Sequence, residues 1–293
     1  MSKKFVVLVA LLSFTALSFA QVRNSELSEK PGFSTDQYLV QPLAAKAASP
    51  VLPATTTCAK TYSSGTGDAK FTFCITVNGN IVQLSRAGFE MIRVGQVGEG
   101  YGICDFTSGA HYFDYAYTDS GNLLGSTLTF PNATTAVSSR ISSDGIWQFT
   151  STITNVPATP QAVGRVTLKT VVKNLTGISR NIFFLRWADV DADGSTGNND
   201  FDWDINSATA MFAPKTASDF GHGLALFNNT FNLPTGFHNN YSLNTFNGPD
   251  PCSPFTNIST QPFHGDGSVM SLDGTVSVAP GGTRAFIVTY HPL

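Results

Sequence analysis

Acidic residues recur at alternate positions in one stretch of the sequence, W-A-D-V-D-A-D-G-S-T-G-N-N-D-F-D-W-D, which runs from Trp187 to Asp204. Six of the chain's 20 acidic residues lie here, although only 13% of all residues are charged, well below the roughly 25% that is usual for soluble domains. Carboxylates this close together repel one another, and a cation between them removes that repulsion. The spacing therefore predicts a site for a hard metal ion with oxygen ligands.

The twelve residues that begin at Asp189 resemble the calcium loop of EF-hand and dockerin-like proteins, because they open with the pattern D-x-D-x-D-G. The resemblance implies Ca²⁺ as the ion, and its ligand set would be Asp189, Asp191, Asp193, the backbone carbonyl of Ser195, and Asp200. Asp200 stands where a glutamate is usual, so its bidentate reach is shorter. The alternative is a solvated acidic turn without a fixed ion.

Residues 1–20 have the organisation of a signal peptide. Lys3 and Lys4 form a basic start, an apolar run extends from Phe5 to Phe19, and small residues precede Gln21. The run is short for a membrane span, and no later segment approaches the roughly 18 unbroken apolar residues that a span requires. We therefore expect a secreted protein, extracellular or periplasmic, without a membrane span.

Four cysteines, Cys58, Cys74, Cys104 and Cys252, occur in this chain. An oxidising compartment favours disulfides, and four cysteines allow three pairings. We favour Cys58 with Cys74 and Cys104 with Cys252, because the first two flank a predicted hairpin. Free buried thiols are the alternative.

The remaining sequence predicts an all-β fold. Two alternating segments between Phe71 and Leu84 are joined by N-G-N, which is typical of a hairpin. Further strand-like segments follow about every ten residues, as in sandwiches and barrels. We predict a single domain over residues 58–293, a two-sheet antiparallel β-sandwich or a larger supersandwich, with few or no helices. Residues 21–57, rich in Pro, Ala and Thr, are predicted to be a disordered leader.

Aromatic residues accompany two segments without clear periodicity. Residues 228–265 are predicted to be one long loop, and this loop contains Phe237 and Tyr241, while Trp203 follows the acidic loop. Exposed aromatic rings can stack on sugar rings, so these three residues are candidate ligand-binding residues. Core packing is the alternative.

The sequence contains weaker evidence for a catalytic site than for a metal site. Neither G-x-S-x-G nor H-E-x-x-H occurs. Glu99 and Asp105 are a candidate acid pair for a polysaccharide-acting enzyme, with a surface acid or a turn cap as the alternative. His222 and His264 are candidates to approach each other in the fold. No catalytic residue is assigned.

The net charge of −3 gives no reason to expect nucleic acid as a partner. The segments G-N-I-V-Q-L, E-G-Y-G-I-C and D-V-D-A-D-G together resemble exported bacterial all-β proteins of undefined function, which implies no activity. Our interpretation is a secreted, calcium-stabilised binding or adhesion module for carbohydrate or a cell-surface protein. A secreted polysaccharide-acting enzyme and a structural envelope protein are the alternatives.

Overall fold

The structure, a computed structural model, describes residues 55–92, 98–212, 222–230 and 237–293. The predicted signal peptide and residues 21–54 of the predicted leader lie outside these ranges. Within the ranges, the chain forms antiparallel strands in three sheets and two short 3-10 turns, Gly67–Ala69 and Ala192–Gly194. None of the helical segments described there has the length and apolarity that a membrane crossing requires.

The three sheets have four, five and nine strands, and neighbouring strands in each sheet are hydrogen-bonded in the following orders. The four-stranded sheet consists of β1 (Lys60–Ser64), β2 (Phe71–Ile75), β3 (Ile81–Arg86) and β4 (Phe89–Glu90). The five-stranded sheet consists of β15 (Phe237–Leu243), β17 (Ser268–Val278), β11 (Arg180–Asp189), β5 (Gly98–Asp105) and β6 (Ala110–Ala116). The nine-stranded sheet consists of β16 (Phe263–Gly265), β12 (Asn199–Trp203), β13 (Ser207–Phe212), β14 (Gly223–Asn228), β18 (Thr283–Pro292), β10 (Arg165–Asn174), β9 (Trp147–Val156), β8 (Thr135–Ile141) and β7 (Thr127–Asn132).

The nine-stranded sheet forms one layer of a sandwich, and the two smaller sheets pack against it. Phe184 of the five-stranded sheet stacks on Phe286 of the nine-stranded sheet, with ring centroids 4.2 Å apart, inside one core cluster. A second cluster joins Phe73 of the four-stranded sheet to Leu168 of the nine-stranded sheet. The predicted all-β antiparallel sandwich is therefore confirmed, with its second layer divided into two sheets.

Local sequence explains the clearest strands. Burial alternates strictly along β9, and Trp147, Phe149 and Ile153 occupy buried positions, because successive strand residues face opposite sides. The predicted hairpin between Phe71 and Leu84 is present as β2 and β3. Its turn contains Gly79 with φ of 86°, a left-handed conformation that glycine adopts without steric penalty.

One fold prediction is wrong. Residues 228–265 do not form a single loop, because β15 and β16 lie within them. β15 reads F-H-N-N-Y-S-L, so most of its residues are polar and the apolar alternation that identifies a strand is weak. Its seven residues nevertheless pair along β17 from Phe237 to Leu243.

Both disulfides have the favoured pairing. Cys58 is bonded to Cys74 on β2, and Cys104 on β5 is bonded to Cys252 in the segment between β15 and β16. The second bond joins positions 148 residues apart in sequence. It therefore fixes that segment to the outer face of the five-stranded sheet.

A buried ion pair connects all three sheets. The Arg186 guanidinium donates to both carboxylate oxygens of Glu99, at 2.5 and 2.8 Å. The same carboxylate accepts hydrogen bonds from the hydroxyl of Tyr290 on β18 at 2.8 Å and from the backbone N–H of Ile81 on β3 at 2.6 Å. Glu99 and Arg186 are both fully buried.

Glu99 and Asp105 therefore do not form the candidate catalytic acid pair. Asp105 is also fully buried, and it pairs with Arg180 at 2.5 Å and accepts a hydrogen bond from the Trp147 indole at 3.3 Å. Each carboxylate is thus engaged by an arginine between the layers. Neither faces a surface where a polysaccharide could bind.

Arg186→Met tests how strongly the fold depends on the junction at Glu99. Because the variant leaves Glu99 buried without its guanidinium, we expect the free energy of unfolding to fall by about 3–5 kcal/mol. Urea unfolding at pH 7 measures this change. Arg165→Met, at an exposed position on β10, is the matched control and should change stability by less than about 0.5 kcal/mol. A loss below about 1 kcal/mol for Arg186→Met would contradict the assignment.

Asp273 makes the stability of the folded protein depend on pH. It is buried on β17 and accepts hydrogen bonds from Asn228 Nδ2 at 3.1 Å and from Thr230 Oγ1 at 3.0 Å. Burial raises the pKa of Asp273 to about 6, although both hydrogen bonds oppose the rise. The folded protein therefore holds this proton more tightly than the unfolded chain does.

The contribution of Asp273 to stability should decrease as pH rises from about 4 to about 6, and it should then stay constant. The full decrease is about 3 kcal/mol, because one pKa unit corresponds to about 1.4 kcal/mol. Asp273→Asn carries no titrating charge, so the stability difference between wild type and variant should change by this amount across that range. Urea unfolding at pH 4, 5, 6 and 7 measures it, and a pH-independent difference would exclude the effect.

Candidate metal centre

Three carboxylates converge at one end of the five-stranded sheet. Asp189, Asp191 and Asp266 each offer one oxygen, and these oxygens lie within 4.8 Å of one another. Asp189 and Asp191 are buried, and Asp266 is partly buried. Two of the three come from the acidic loop, and the third comes from a segment 75 residues further along the chain.

Strand pairing explains how the third carboxylate reaches the loop. Asp189 is the last residue of β11 and pairs with Ser268, the first residue of β17. Asn199 on β12 pairs with Gly265 on β16. Asp266 lies between these two paired positions, in the short connection from β16 to β17. The registers of two different sheets therefore bring Asp266 towards Asp189 and Asn199.

The acidic loop itself turns tightly after Asp191. The N–H of Asp191 donates to the carbonyl of Met91 at 3.2 Å, and its carbonyl accepts from the N–H of Gly194 at 2.7 Å. Asp193 and Gly194 both have positive φ, 55° and 69°, which aspartate tolerates better than most residues and glycine adopts freely. These contacts hold the Asp191 backbone beside the end of β4.

Two further buried oxygens belong to Ser195 and Asn199, which are part of the same acidic stretch. The side-chain amide of Asn199 donates to the backbone carbonyl of Ser195. Among the described residues, nothing hydrogen-bonds to the Asn199 Oδ1 atom or to the Ser195 hydroxyl, and both side chains are at most 1% exposed. A buried polar oxygen without a partner is costly, and coordination to a cation would satisfy it.

A fourth carboxyl group lies next to this cluster. Glu90 is buried on β4 and accepts hydrogen bonds from the N–H groups of Leu84 and Ile92, at 3.0 and 3.1 Å. Burial raises the pKa of Glu90 to about 8, and the negative charge of Asp191 adds to the rise. The interior beside Asp191 therefore disfavours further negative charge.

The observed cluster differs from the predicted EF-hand-like ligand set. Asp193 lies against His222 instead, with Oδ1 3.0 Å from Nδ1, and the ring of His222 stacks on Phe89 at 4.2 Å. Asp200 lies against His264 at 2.8 Å. Because residues 199–203 form a strand, Asp200 faces the opposite side from buried Asn199. His222 and His264 thus contact two different aspartates of the acidic stretch.

The sequence singled out Asp189 and Asp191 but missed Asp266 and Asn199 as site residues. Asp266 stands in H-G-D-G, a turn-like motif that does not indicate which distant residue it meets.

The predicted ligand-binding aromatic residues lie in different parts of the fold. Trp203 is partly buried against the larger core cluster, whereas Tyr241 contacts the ring of Phe255 at 6.1 Å, and Phe237 contacts it at 6.4 Å.

The donor set indicates the type of ion that fits. Asp189, Asp191, Asp266, Asn199 and Ser195 offer only oxygen atoms, of carboxylate, amide and hydroxyl type. Hard cations such as Ca²⁺ and Mg²⁺ prefer these donors, whereas zinc and other transition metals favour sites with histidine or cysteine. The cluster is therefore suited to a hard divalent cation.

Comparison with known proteins identifies a fold but no family. No family model and no curated protein matches this sequence. A bacterial glucoamylase complexed with acarbose aligns with 84% of this chain at a TM-score of 0.52 and 9% identity, and the alignment covers 34% of the glucoamylase chain. The protein thus spans about a third of that structure and shares a β-sandwich fold with it.

Two other solved structures align with lower scores. A putative aldose 1-epimerase from Escherichia coli K12 aligns at a TM-score of 0.43 and 8% identity, over 80% of this chain and 99% of its own. A polysaccharide lyase aligns at 0.42 and 12% identity, over 78% of this chain and 33% of its own.

Proposed function

We propose that this protein is an exported β-sandwich stabilised by a bound calcium ion, and that it serves as a binding or adhesion module for carbohydrate or a surface protein. The observation that carries the proposal is the convergence of Asp189, Asp191 and Asp266. The unsatisfied buried oxygens of Asn199 and Ser195, in the same acidic stretch of the chain, add to it. A cation among these groups would neutralise charge and satisfy the two buried oxygens together.

Calcium fits the arrangement better than magnesium. The donors come from the end of β11, the acidic loop, β12 and the connection to β17, so they form an irregular set. Calcium accepts six to eight oxygens in flexible geometry, whereas magnesium demands near-ideal octahedral geometry and retains several waters. Outside the cell, even calcium sites with dissociation constants of about 10⁻⁴ to 10⁻³ M are used.

The role proposed for the ion is structural. Asp266 lies 77 residues from Asp189 in sequence, so the set of ligands exists only in the folded state. An ion that binds only the folded state stabilises it in proportion to the logarithm of its concentration over the dissociation constant. Calcium would thereby link the five-stranded sheet to the edge of the nine-stranded sheet.

Export is supported by two independent features. Residues 1–20 have the composition of a signal peptide, and all four cysteines form disulfides, which persist in oxidising compartments. A binding role is favoured over polysaccharide cleavage because Glu99 and Asp105 are buried in ion pairs. The fold shared with part of a bacterial glucoamylase supports carbohydrate as one class of partner.

Thermal unfolding with calcium and with a chelator tests the structural role of the ion. We expect calcium at about 100 times its dissociation constant to add about 2.7 kcal/mol of stability, which corresponds to a rise in Tm of about 5–10 °C for a domain of this size. Magnesium at the same concentration should give a smaller rise. The absence of a calcium-dependent rise in the wild type would contradict the proposal.

Variants distinguish the observed cluster from the predicted loop. Asp191→Ala and Asp266→Ala should abolish the calcium-dependent rise in Tm, because each removes a carboxylate of the cluster. Asp200→Ala is the matched control, since its carboxylate lies against His264, and it should retain the rise. If Asp200→Ala abolished the effect and Asp266→Ala retained it, the EF-hand-like ligand set would be correct instead.

A further inference from the structure

Five aromatic residues, three of them exposed, form a cluster on the outer face of the five-stranded sheet, which we call the phenylalanine patch. Its members are Phe106, Phe183, Phe237, Tyr241 and Phe255. Phe184 points into the core between the layers, so its neighbour Phe183 lies on the opposite, outer face. The side chains of Phe106, Phe237 and Phe255 are 45%, 39% and 49% exposed.

The rings surround Phe183 at defined angles. Phe106 contacts Phe183 edge to face at 4.4 Å, and Phe237 and Phe255 contact it at 6.0 and 6.2 Å. Phe237 and Phe255 are close to parallel, with an interplanar angle of 29° and centroids 6.4 Å apart. The rings of Phe237 and Phe255 therefore lie side by side at the surface with similar orientations.

The patch is rigidly supported. A Cβ atom at Gly274 would lie 2.4 Å from Phe237 and 2.9 Å from Phe183, so only glycine lets both rings lie over β17. Phe255 follows Cys252 by three residues, and the disulfide to Cys104 anchors that segment to β5. Rings held in place before binding lose little conformational entropy when a ligand arrives.

The segments around the patch are polar and contain few charged residues. Between Asp219 and Asp266 the sequence contains a single residue of the Asp, Glu, Lys and Arg types, Asp250. Asp105, next to Phe106, is buried in its pair with Arg180. The exposed or half-exposed neighbours carry amides and hydroxyls: Thr107, Asn181, Asn239, Thr256 and Asn257. Such surroundings favour a neutral ligand with many hydroxyl groups over a charged one.

The size of the patch favours a small ligand over a protein. Three rings that are each about half exposed present roughly 300 Å² of aromatic surface. A stable protein interface needs about 800 Å² on each partner. The exposed aromatic area is therefore too small for a stable dimer, but it matches a few sugar rings.

We propose that the phenylalanine patch binds a neutral oligosaccharide, with the C–H faces of pyranose rings against Phe237 and Phe255. Partly positive C–H groups of a sugar are attracted to the negative face of an aromatic ring, and the surrounding amides and hydroxyls would bind sugar hydroxyls. The inference rests on the binding role in the proposed function. It does not require the calcium ion.

Native affinity electrophoresis tests this inference on the whole exported chain, with hydroxyethylcellulose, galactomannan or soluble starch in the gel. We expect at least one of these neutral polysaccharides to retard the wild type and polygalacturonate, which is anionic, to leave it unretarded. Phe237→Ala/Phe255→Ala should raise the dissociation constant about tenfold or more, since central aromatic residues dominate such sites. Gly274→Ala should weaken binding because it displaces both rings.

Phe130→Ala is the matched control, because Phe130 is 48% exposed on β7 of the other layer, and it should bind as the wild type does. The inference is overturned if no neutral polysaccharide retards the wild type or if the double variant binds equally well. It is also overturned if light scattering shows a wild-type dimer that the double variant dissociates. Because the calcium-dependent Tm is measured separately, failure here leaves the proposed calcium site unaffected.

Discussion

The carboxylate of Glu99 is the point at which the three sheets meet. It binds Arg186 within its own sheet, the Tyr290 hydroxyl of the nine-stranded sheet and the Ile81 N–H of the four-stranded sheet. A buried carboxylate must be paired and hydrogen-bonded to be tolerated, so these partners fix β5 and β11 relative to both neighbouring sheets. Asp189 lies three residues after Arg186 on β11, and the position of the candidate metal centre depends on this junction.

The five-stranded sheet carries both proposed sites. Ser268, at the start of β17, fixes the connection that contains Asp266, and Gly274, six residues later, accommodates the rings of the phenylalanine patch. Six residues of strand span about 20 Å, so an ion at the cluster cannot touch a sugar at the patch. The ion would stabilise the sheet that presents the aromatic rings, without contacting the ligand.

Sequence predicted those features that depend on short segments. The N-G-N turn identified the β2–β3 hairpin, and the short separation of Cys58 and Cys74 in sequence favoured their pairing as a local link. Sequence did not predict features that depend on register between distant strands. Asp266 meets Asp189 only because β17 pairs with β11 from Ser268 onward, and Asp200 points away because its segment forms a strand.

The same limit applies to the surface aromatics and to the acid pair. Phe237 was a candidate from composition, but Phe106, Phe183 and Phe255 lie on three other segments whose proximity no local pattern reveals. Glu99 and Asp105 are six residues apart on one strand, and their spacing gives no sign of the arginines that pair with them. The burial of both carboxylates and their pairing with arginines depend on the whole sandwich. These features indicate a structural role for Glu99 and Asp105 instead of a catalytic one.

The position of the ion is the most direct test of the central claim. Crystals grown with calcium and measured for anomalous scattering should show one ion bound by Asp189, Asp191 and Asp266, with oxygen ligands at about 2.3–2.6 Å and Asn199 Oδ1 among them. Anomalous density absent from this cluster at saturating calcium, or present at Asp193 and Asp200 instead, would contradict the account.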